Sequence, residues 1–395
     1  MEFIEPVGAL ETARLTGGKA LCLNMIVKNE MTNLPRCLGA VAPYIACWIV
    51  GDTGSTDGTQ DFIRSFFAAR DIPGELHSFP LIDFSQARNE ALERARATML
   101  DFDYLLLADA DMELIVQSPD FPRDLTAAAY RVRQRSGVTY WNNRLLRRDA
   151  PALYRGVTHE YLDVRKGETK DLDDILFIDH QTGGNRPDKY DRDIRLLTAA
   201  LTSERDPGAV ARYIFYLANT YRDSGQKEAA LKAYLERAKL GYWQQEVFIS
   251  LLNVARLKQD LEYAGQDVLA AYAEATAACA ARAEALHDAA RFCRTKRRYD
   301  EAYALAQKGL TLACPDDGLF VHDWIYDYGL RDELAVAAYW TGRYAECADA
   351  CERLLSEGKL PAETRERVLK NKQFALDKLV ELAAQEQKPD AGATA

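Results

Sequence analysis

No two of the eight cysteines (Cys22, Cys37, Cys47, Cys279, Cys293, Cys314, Cys347 and Cys351) are spaced Cys-x-x-Cys, and several sit inside apolar runs. A paired-thiol site therefore has no motif here, and buried, reduced thiols of a cytosolic protein are expected. Cys347 and Cys351 lie one helical turn apart and read as core positions. Positive charge is in deficit: 50 Lys and Arg stand against 60 Asp and Glu, a net charge of -10. General nucleic-acid binding, which needs a basic face, is disfavoured. The local group Arg131, Arg133, Arg135, Arg144, Arg147 and Arg148 reads as the solvated face of a hairpin. No apolar run is long enough to span a bilayer, since even 268–286 is broken by Glu274, Arg282 and Glu284. Met1-Glu2-Phe3-Ile4-Glu5-Pro6 lacks the basic and apolar regions of a signal peptide, so a cytoplasmic protein is expected. What remains is a soluble, globular composition, 48% hydrophobic and 28% charged, in 395 residues, for which two domains are the expectation.

The first half is organised around Phe102-Asp103-Tyr104-Leu105-Leu106-Leu107-Ala108-Asp109-Ala110-Asp111. Its apolar centre predicts a strand buried on both faces of a parallel sheet. If the extended backbone persists, Asp109 and Asp111 point the same way. Two carboxylates just past a buried strand end sit where open α/β sheets bind ligands, and Mg²⁺ or Mn²⁺ wants such oxygens. The plain alternative is a turn that uses Asp for its turn geometry.

Earlier strands are expected at Leu21–Val27, ending in Lys28-Asn29-Glu30, and at Ile45–Val50, closing on Gly51-Asp52-Thr53-Gly54-Ser55-Thr56-Asp57-Gly58-Thr59. Asn33 reads as a helix cap after the first strand. Glycines and small hydroxylated residues after the second make a loop whose backbone can approach a ligand. Asp57 reads equally as a cap or a ligand contact; Asp52 has no local duty and is the better functional candidate. A weak strand at Glu75–Phe79 and a helix opening at Phe84, with Arg88 near its start, complete a strand–helix series that implies a three-layer α/β domain. Beyond Asp111, Ala128–Arg133 and Thr139–Leu146 predict a hairpin, with short strands in Leu153–Val164 and Ile175–Ile178. His159-Glu160 and His180 fall here, and the polar loop after His180 reads as a lid or a surface connection.

From Arg205 the pattern turns helical. Tyr213–Tyr221 leading to Ala229-Ala230, Leu286–Ala290 leading to Arg298-Tyr299-Asp300-Glu301, and Leu334–Ala338 leading to Arg343-Tyr344-Ala345-Glu346 recur as tetratricopeptide-type helix pairs, with a looser copy over Phe248–Ala275. The expected organisation is an N-terminal extension (1–19), an α/β domain (20–200), helical repeats (205–384) and a disordered tail (385–395).

Taken together, Asn29-Glu30, Val50 to Thr59, Ala87-Arg88-Asn89-Glu90-Ala91 and the DxD-type Asp109-Ala110-Asp111 resemble the family 2 glycosyltransferases of GT-A fold, with a Rossmann-like mixed sheet. The chain looks particularly like the bacterial subgroup fused to tetratricopeptide repeats, similar to peptide S-glycosyltransferases. His159-Glu160, His180, Lys189 and Arg192 match that subgroup's later pattern. Thr53 stands where many members carry a second acid.

The resemblance implies a nucleotide-sugar donor, most often a UDP-sugar, and inverting transfer to a peptide, protein or other soluble acceptor. Chemistry then suggests roles. A divalent cation held by Asp111, helped by Asp109, would neutralise the leaving diphosphate. Asn29, Glu30, Asp52, Asp57 and Arg88 would line the donor site. Glu160, or second Asp179, would take the acceptor's proton. His159 or His180 would be a third metal ligand or a diphosphate contact. The repeats would hold an extended acceptor around Tyr213, Tyr216, Asn219 and Tyr221, or stabilise the domain, or pair two copies of the chain. A tetratricopeptide scaffold with an inactive α/β domain, and nucleotidyl transfer on a related fold, are the alternatives.

Overall fold

The computed structural model describes residues 18–136, 139–182, 189–316 and 318–386. Most of the expected N-terminal extension and tail, and the loop 183–188 after His180, lie outside the described residues. The chain forms two compact units, residues 1–216 and 217–395. Their boundary falls inside a helix and not in the stretch before Arg205.

In chain order the first unit runs β1 (Leu21–Val27), α1 (Leu34–Val41), β2 (Cys47–Asp52), α2 (Thr59–Ala68), β3 (Gly74–Ser78), α3 (Phe84–Ala97), β4 (Tyr104–Leu107) and β5 (Met112–Val116). It continues with β6 (Ala129–Arg135), β7 (Thr139–Arg147), β8 (Ala152–Arg155), β9 (Tyr161–Val164), β10 (Thr169–Asp179) and α4 (Lys189–Ser203). Helix α5 (Pro207–Asp223) crosses the boundary. Eight strands make one mixed sheet in the order β3-β2-β1-β4-β7-β6-β10-β5, and β8 and β9 pair separately. Strands β3, β2, β1 and β4 are mutually parallel, so their C-terminal ends share one edge. Hydrophobic side chains cover both faces. Leu34, Leu38, Val41, Ile63 and Phe67 of α1 and α2 pack on one, and Leu92 and Ala95 of α3 on the other. Asn24, the one polar residue of β1, is buried because its amide donates to the carbonyls of Ile49 and Ala91 at 3.2 and 3.1 Å. Strand β5, directly after the acidic motif, was not expected from sequence. Two capping assignments change. The Asn33 side chain makes no cap bond, whereas Asp83, unforeseen, caps α3 by accepting from the Gln86 amide at 2.8 Å.

The second unit continues as helical hairpins: α6 (Lys227–Lys239), α7 (Gln244–Asp260) with α8 (Gly265–Ala278), α9 (Glu284–Thr295) with α10 (Tyr299–Gly309), α11 (Leu330–Trp340) with α12 (Tyr344–Ser356), and a final α13 (Ala362–Glu386). The two Arg-Tyr-x-Glu turns open α10 and α12, as their recurrence implies. Cys347 and Cys351 are buried in the core of this unit and no cysteine is bridged among the described residues. Two arginines are fully buried where hairpins meet. Arg237 donates to Glu246 and to the Gly241 carbonyl. Arg282 forks onto Glu284 and also reaches Gln245 and the carbonyls of Leu319 and Phe320. A buried ion pair is tolerable only with its remaining donors satisfied, and removing one partner strands the other charge. Glu284→Ala is therefore expected to lower unfolding stability by about 3 kcal/mol, read by urea denaturation. A loss within error would mean that Arg282 finds water.

Candidate functional site

At the C-terminal edge of the parallel strands two loops are stitched together. The Asn29 amide donates to the Ser55 hydroxyl at 2.8 Å, and the Thr56 amide to the Asn29 side chain at 2.7 Å. The Glu30 amide donates to the Thr59 hydroxyl at 2.9 Å. Gly54 and Gly58, at φ of 105° and 90°, take left-handed conformations that other residues adopt at a cost. Asp57 serves the loop: it accepts from the Thr59 amide and hydroxyl and from the Met31 amide. Asp52 is fully buried at the end of β2. Its Oδ1 accepts from the amides of Gly54 and Ser55, both at 3.0 Å, and from Gln60 at 2.8 Å, while its Oδ2 has no partner among the described residues. Burial opposes ionisation of this carboxyl, but these bonds, that to Ser55 foremost, hold it below its ordinary value.

The acidic motif departs from its sequence reading. Strand β4 stops at Leu107, and a turn closed by the Met112 amide on the Asp109 carbonyl (3.0 Å) follows, so the two-residue alternation does not carry Asp109 and Asp111 to one side. Both oxygens of Asp109 are taken by arginines: Oδ1 by Arg88 and Oδ2 by Arg144 at 3.2 Å. Arg88 also holds Glu160 through its Nε. On the far side Arg144 donates to Gln134 at 2.8 Å, and Gln134 donates to Asp179 at 3.0 Å. A single chain of charge-assisted bonds thus runs Glu160–Arg88–Asp109–Arg144–Gln134–Asp179.

Arg144 is the correction of most consequence. Sequence places it on a solvated hairpin face, where Arg131 and Arg133 do lie, paired with Asp171 and Asp173. Arg144 instead is only 5% exposed. Tyr130 pairs with Leu145 and Arg131 with Asn143, leaving Arg144 as the extra residue of a β-bulge. A bulge of this kind re-aims a side chain. Gln60, Gln134 and Arg36, whose guanidinium donates to the Asp111 carbonyl at 3.4 Å, were also not anticipated. No local pattern marks them.

His180 lies beside the motif, its amide donating to the Asp111 carbonyl at 3.2 Å, while its ring pairs with Glu113 of β5 at 2.9 Å. The His159 ring stacks on Tyr216 with centroids 4.1 Å apart. Among the described residues no three His, Cys, Asp or Glu side chains are grouped to hold a metal ion. Asp109 is engaged by two guanidiniums, and Asp111 is partly exposed. Mg²⁺ needs only one or two carboxylates when substrate phosphates complete its shell. Of the residues expected to hold an acceptor, Tyr213 is buried, Tyr216 stacks on the His159 ring, and Asn219 accepts from the Tyr234 hydroxyl at 2.5 Å.

No family model matches the chain. A TPR repeat-containing protein of Synechococcus elongatus is 33% identical over 153 residues, 36% of this chain and 35% of that protein. The chain thus spans about a third of the length of the relative it matches. Among solved structures, a tetratricopeptide repeat protein from Parabacteroides merdae is 18% identical with a TM-score of 0.36, covering 50% of this chain and 73% of that one. MamA from Desulfovibrio magneticus is 12% identical with a TM-score of 0.33, covering 47% and 99%. These scores are low, and the description of the helical array rests on its own hairpins. No helix of the described residues is long and apolar enough to cross a membrane.

The ion pairs of Asp109 have a pH signature. Burial opposes its charge, but Arg88 and then Arg144 outweigh burial and hold the carboxyl at about 2, against 3.8 ordinarily. A folded value below the unfolded one means the stabilisation is complete above about pH 4 and is lost as pH falls towards 2. Asp109→Asn is expected to cost about 2 kcal/mol at neutral pH. Its deficit against wild type should shrink in denaturant titrations taken from about pH 4 downward. A deficit constant across that window would detach Asp109 from the arginines.

Proposed function

We propose that the α/β unit is a glycosyltransferase that takes a sugar from a nucleotide-sugar, a UDP-sugar in the first instance, and that the helical array recognises a peptide or protein acceptor. The observation that carries the reading is that, of five buried polar side-chain atoms without a hydrogen-bond partner among the described residues, three belong to residues of this sheet edge: Asp52 Oδ2, Arg144 Nε and Arg36 Nε. Leaving such groups unpaired costs about 1–3 kcal/mol each, which a ligand bearing N–H or O–H donors and anionic oxygens would recover. A nucleoside diphosphate carries both. The motif resemblance to family 2 glycosyltransferases points the same way.

In this reading Asp52 accepts from the base or ribose, with the Asn29–Glu30 and Gly54–Thr59 loops shaping the surface around it. Arg88 presents positive charge to the diphosphate while Asp109 and Arg144 fix its direction. Mg²⁺ or Mn²⁺, held by Asp111 with the diphosphate oxygens, would supply neutralisation of the leaving group's charge. As the acceptor attacks the anomeric carbon, the bond from that carbon to the phosphate oxygen breaks and the acceptor's proton passes to a carboxylate. Glu160 is the better placed for this, being bonded to the same arginine as Asp109, whereas Asp179 lies at the opposite end of the chain of bonds and accepts from Gln134 and the Gln181 amide.

A second reading is a helical-repeat scaffold whose α/β unit is catalytically inactive. The name of the Synechococcus relative favours it, as does the engagement of Asp109 by arginines instead of a cation site. Calorimetric titration with UDP and UDP-sugars, with and without Mn²⁺, combined with assay of free sugar, separates the two. The transferase reading expects Mn²⁺-dependent binding and slow donor hydrolysis, and expects Asp111→Ala to abolish hydrolysis in a protein that circular dichroism shows to be folded. Absence of any nucleotide binding would leave the scaffold.

A further inference from the structure

We infer that Tyr216 and Arg212, on the first turns of the helical region, are positioning residues for the segment that carries Glu160. The inference rests on the reading of Glu160 as the proton acceptor. Residues 156–160 join β8 to β9 through two left-handed conformations, Gly156 at φ 104° and His159 at φ 51°. The turn is tight: a Cβ on Gly156 would lie 3.3 Å from the Thr158 carbonyl oxygen and 3.4 Å from the Glu160 Cα. A left-handed non-glycine residue is uncommon, histidine being among those that adopt it more readily, and its surroundings help to hold it.

Those surroundings come from two helices. From α3, the Phe84 amide donates to the Val157 carbonyl at 3.1 Å. From α5, two side chains reach the turn. Arg212 donates to the His159 carbonyl at 3.0 Å, with its guanidinium 4.9 Å from the Tyr161 ring and 4.8 Å from the Tyr216 ring. Tyr216 lies almost parallel to the His159 imidazole, with 8° between the planes. His159 is thus gripped at its ring and at its carbonyl, and the next residue is Glu160, bonded to Arg88. All of these residues belong to the first compact unit although α5 continues beyond it. This gives the histidine of the His-Glu pair a duty other than metal ligation: its ring is the handle by which α5 sets the carboxylate beside it.

Full-length Tyr216→Leu and Tyr216→Phe test the inference, since the second keeps the ring and loses only the hydroxyl. Misplacing a reacting group by about 1 Å costs about a hundredfold in rate. Tyr216→Leu should therefore hydrolyse UDP-glucose or UDP-N-acetylglucosamine about tenfold to a hundredfold more slowly with unchanged affinity for UDP, and Tyr216→Phe should behave as wild type. Amide hydrogen exchange over 157–160, read by mass spectrometry, should quicken in the Leu variant alone. Wild-type turnover in Tyr216→Leu, or a matching loss of UDP affinity, would overturn the positioning role. So would unchanged exchange. A wild-type protein that binds UDP to no extent would sink the transferase reading and the role of Glu160 with it, a result distinct from these, and the exchange data would still decide whether the ring holds the turn.

Discussion

Asp109 sits between two guanidiniums, and the first unit is arranged around keeping it there. One arginine arrives from the start of α3, the other from β7, and the aspartate itself from the end of β4. Three elements distant in sequence are thereby tied at one point on the sheet edge. A half-buried carboxylate with two cationic partners is well held, and its loss would leave the buried Arg144 without its carboxylate. Glu160 and Asp179 hang from the two ends of this arrangement, so their placement follows from it.

The same economy recurs in the helical array. Arg237 and Arg282 each sit at a junction between hairpins, out of solvent, with a glutamate and backbone carbonyls as partners. Repeats joined only by small apolar residues could slide or re-pair, since one alanine resembles another. Arg237 pairs with Glu246 across the α6–α7 junction, and Arg282, held by Glu284 two residues on, also reaches Gln245 of α7 and the carbonyls of Leu319 and Phe320, so each arginine ties separate segments at one buried point.

Most of the architecture could be read from the chain. Strands β1, β2 and β4 are apolar runs broken only by Asn24 in β1 and by the closing Gly51-Asp52 of β2, and the repeated Arg-Tyr-x-Glu turns are local patterns that survive folding. The shared edge of Asp52 and the acidic motif followed from parallel strand order alone. What could not be read depends on contacts across long separations. The Asp109 and Asp111 alternation fails because β4 ends one residue before Ala108, and strand ends are set by the ladder and not by propensity. Arg144 reads as a surface residue in sequence because Arg131 and Arg133 of the same hairpin are exposed. His159 reads as a ligand, whereas its stack on Tyr216 joins residues more than fifty positions apart.

The bulge at Arg144 has a price in the sheet. A ladder without the extra residue would pair Asn143, and then its neighbour, in unbroken register with β6, and the hairpin would gain regular hydrogen bonds. Arg144 is itself that extra residue, so the regular ladder would bring no guanidinium to Asp109 from this strand. Shortening this strand by one residue would make a better sheet and a poorer charged edge. The hairpin is held off its own optimum by what lies next to it, which is a common mark of places where a fold has been bent to a task.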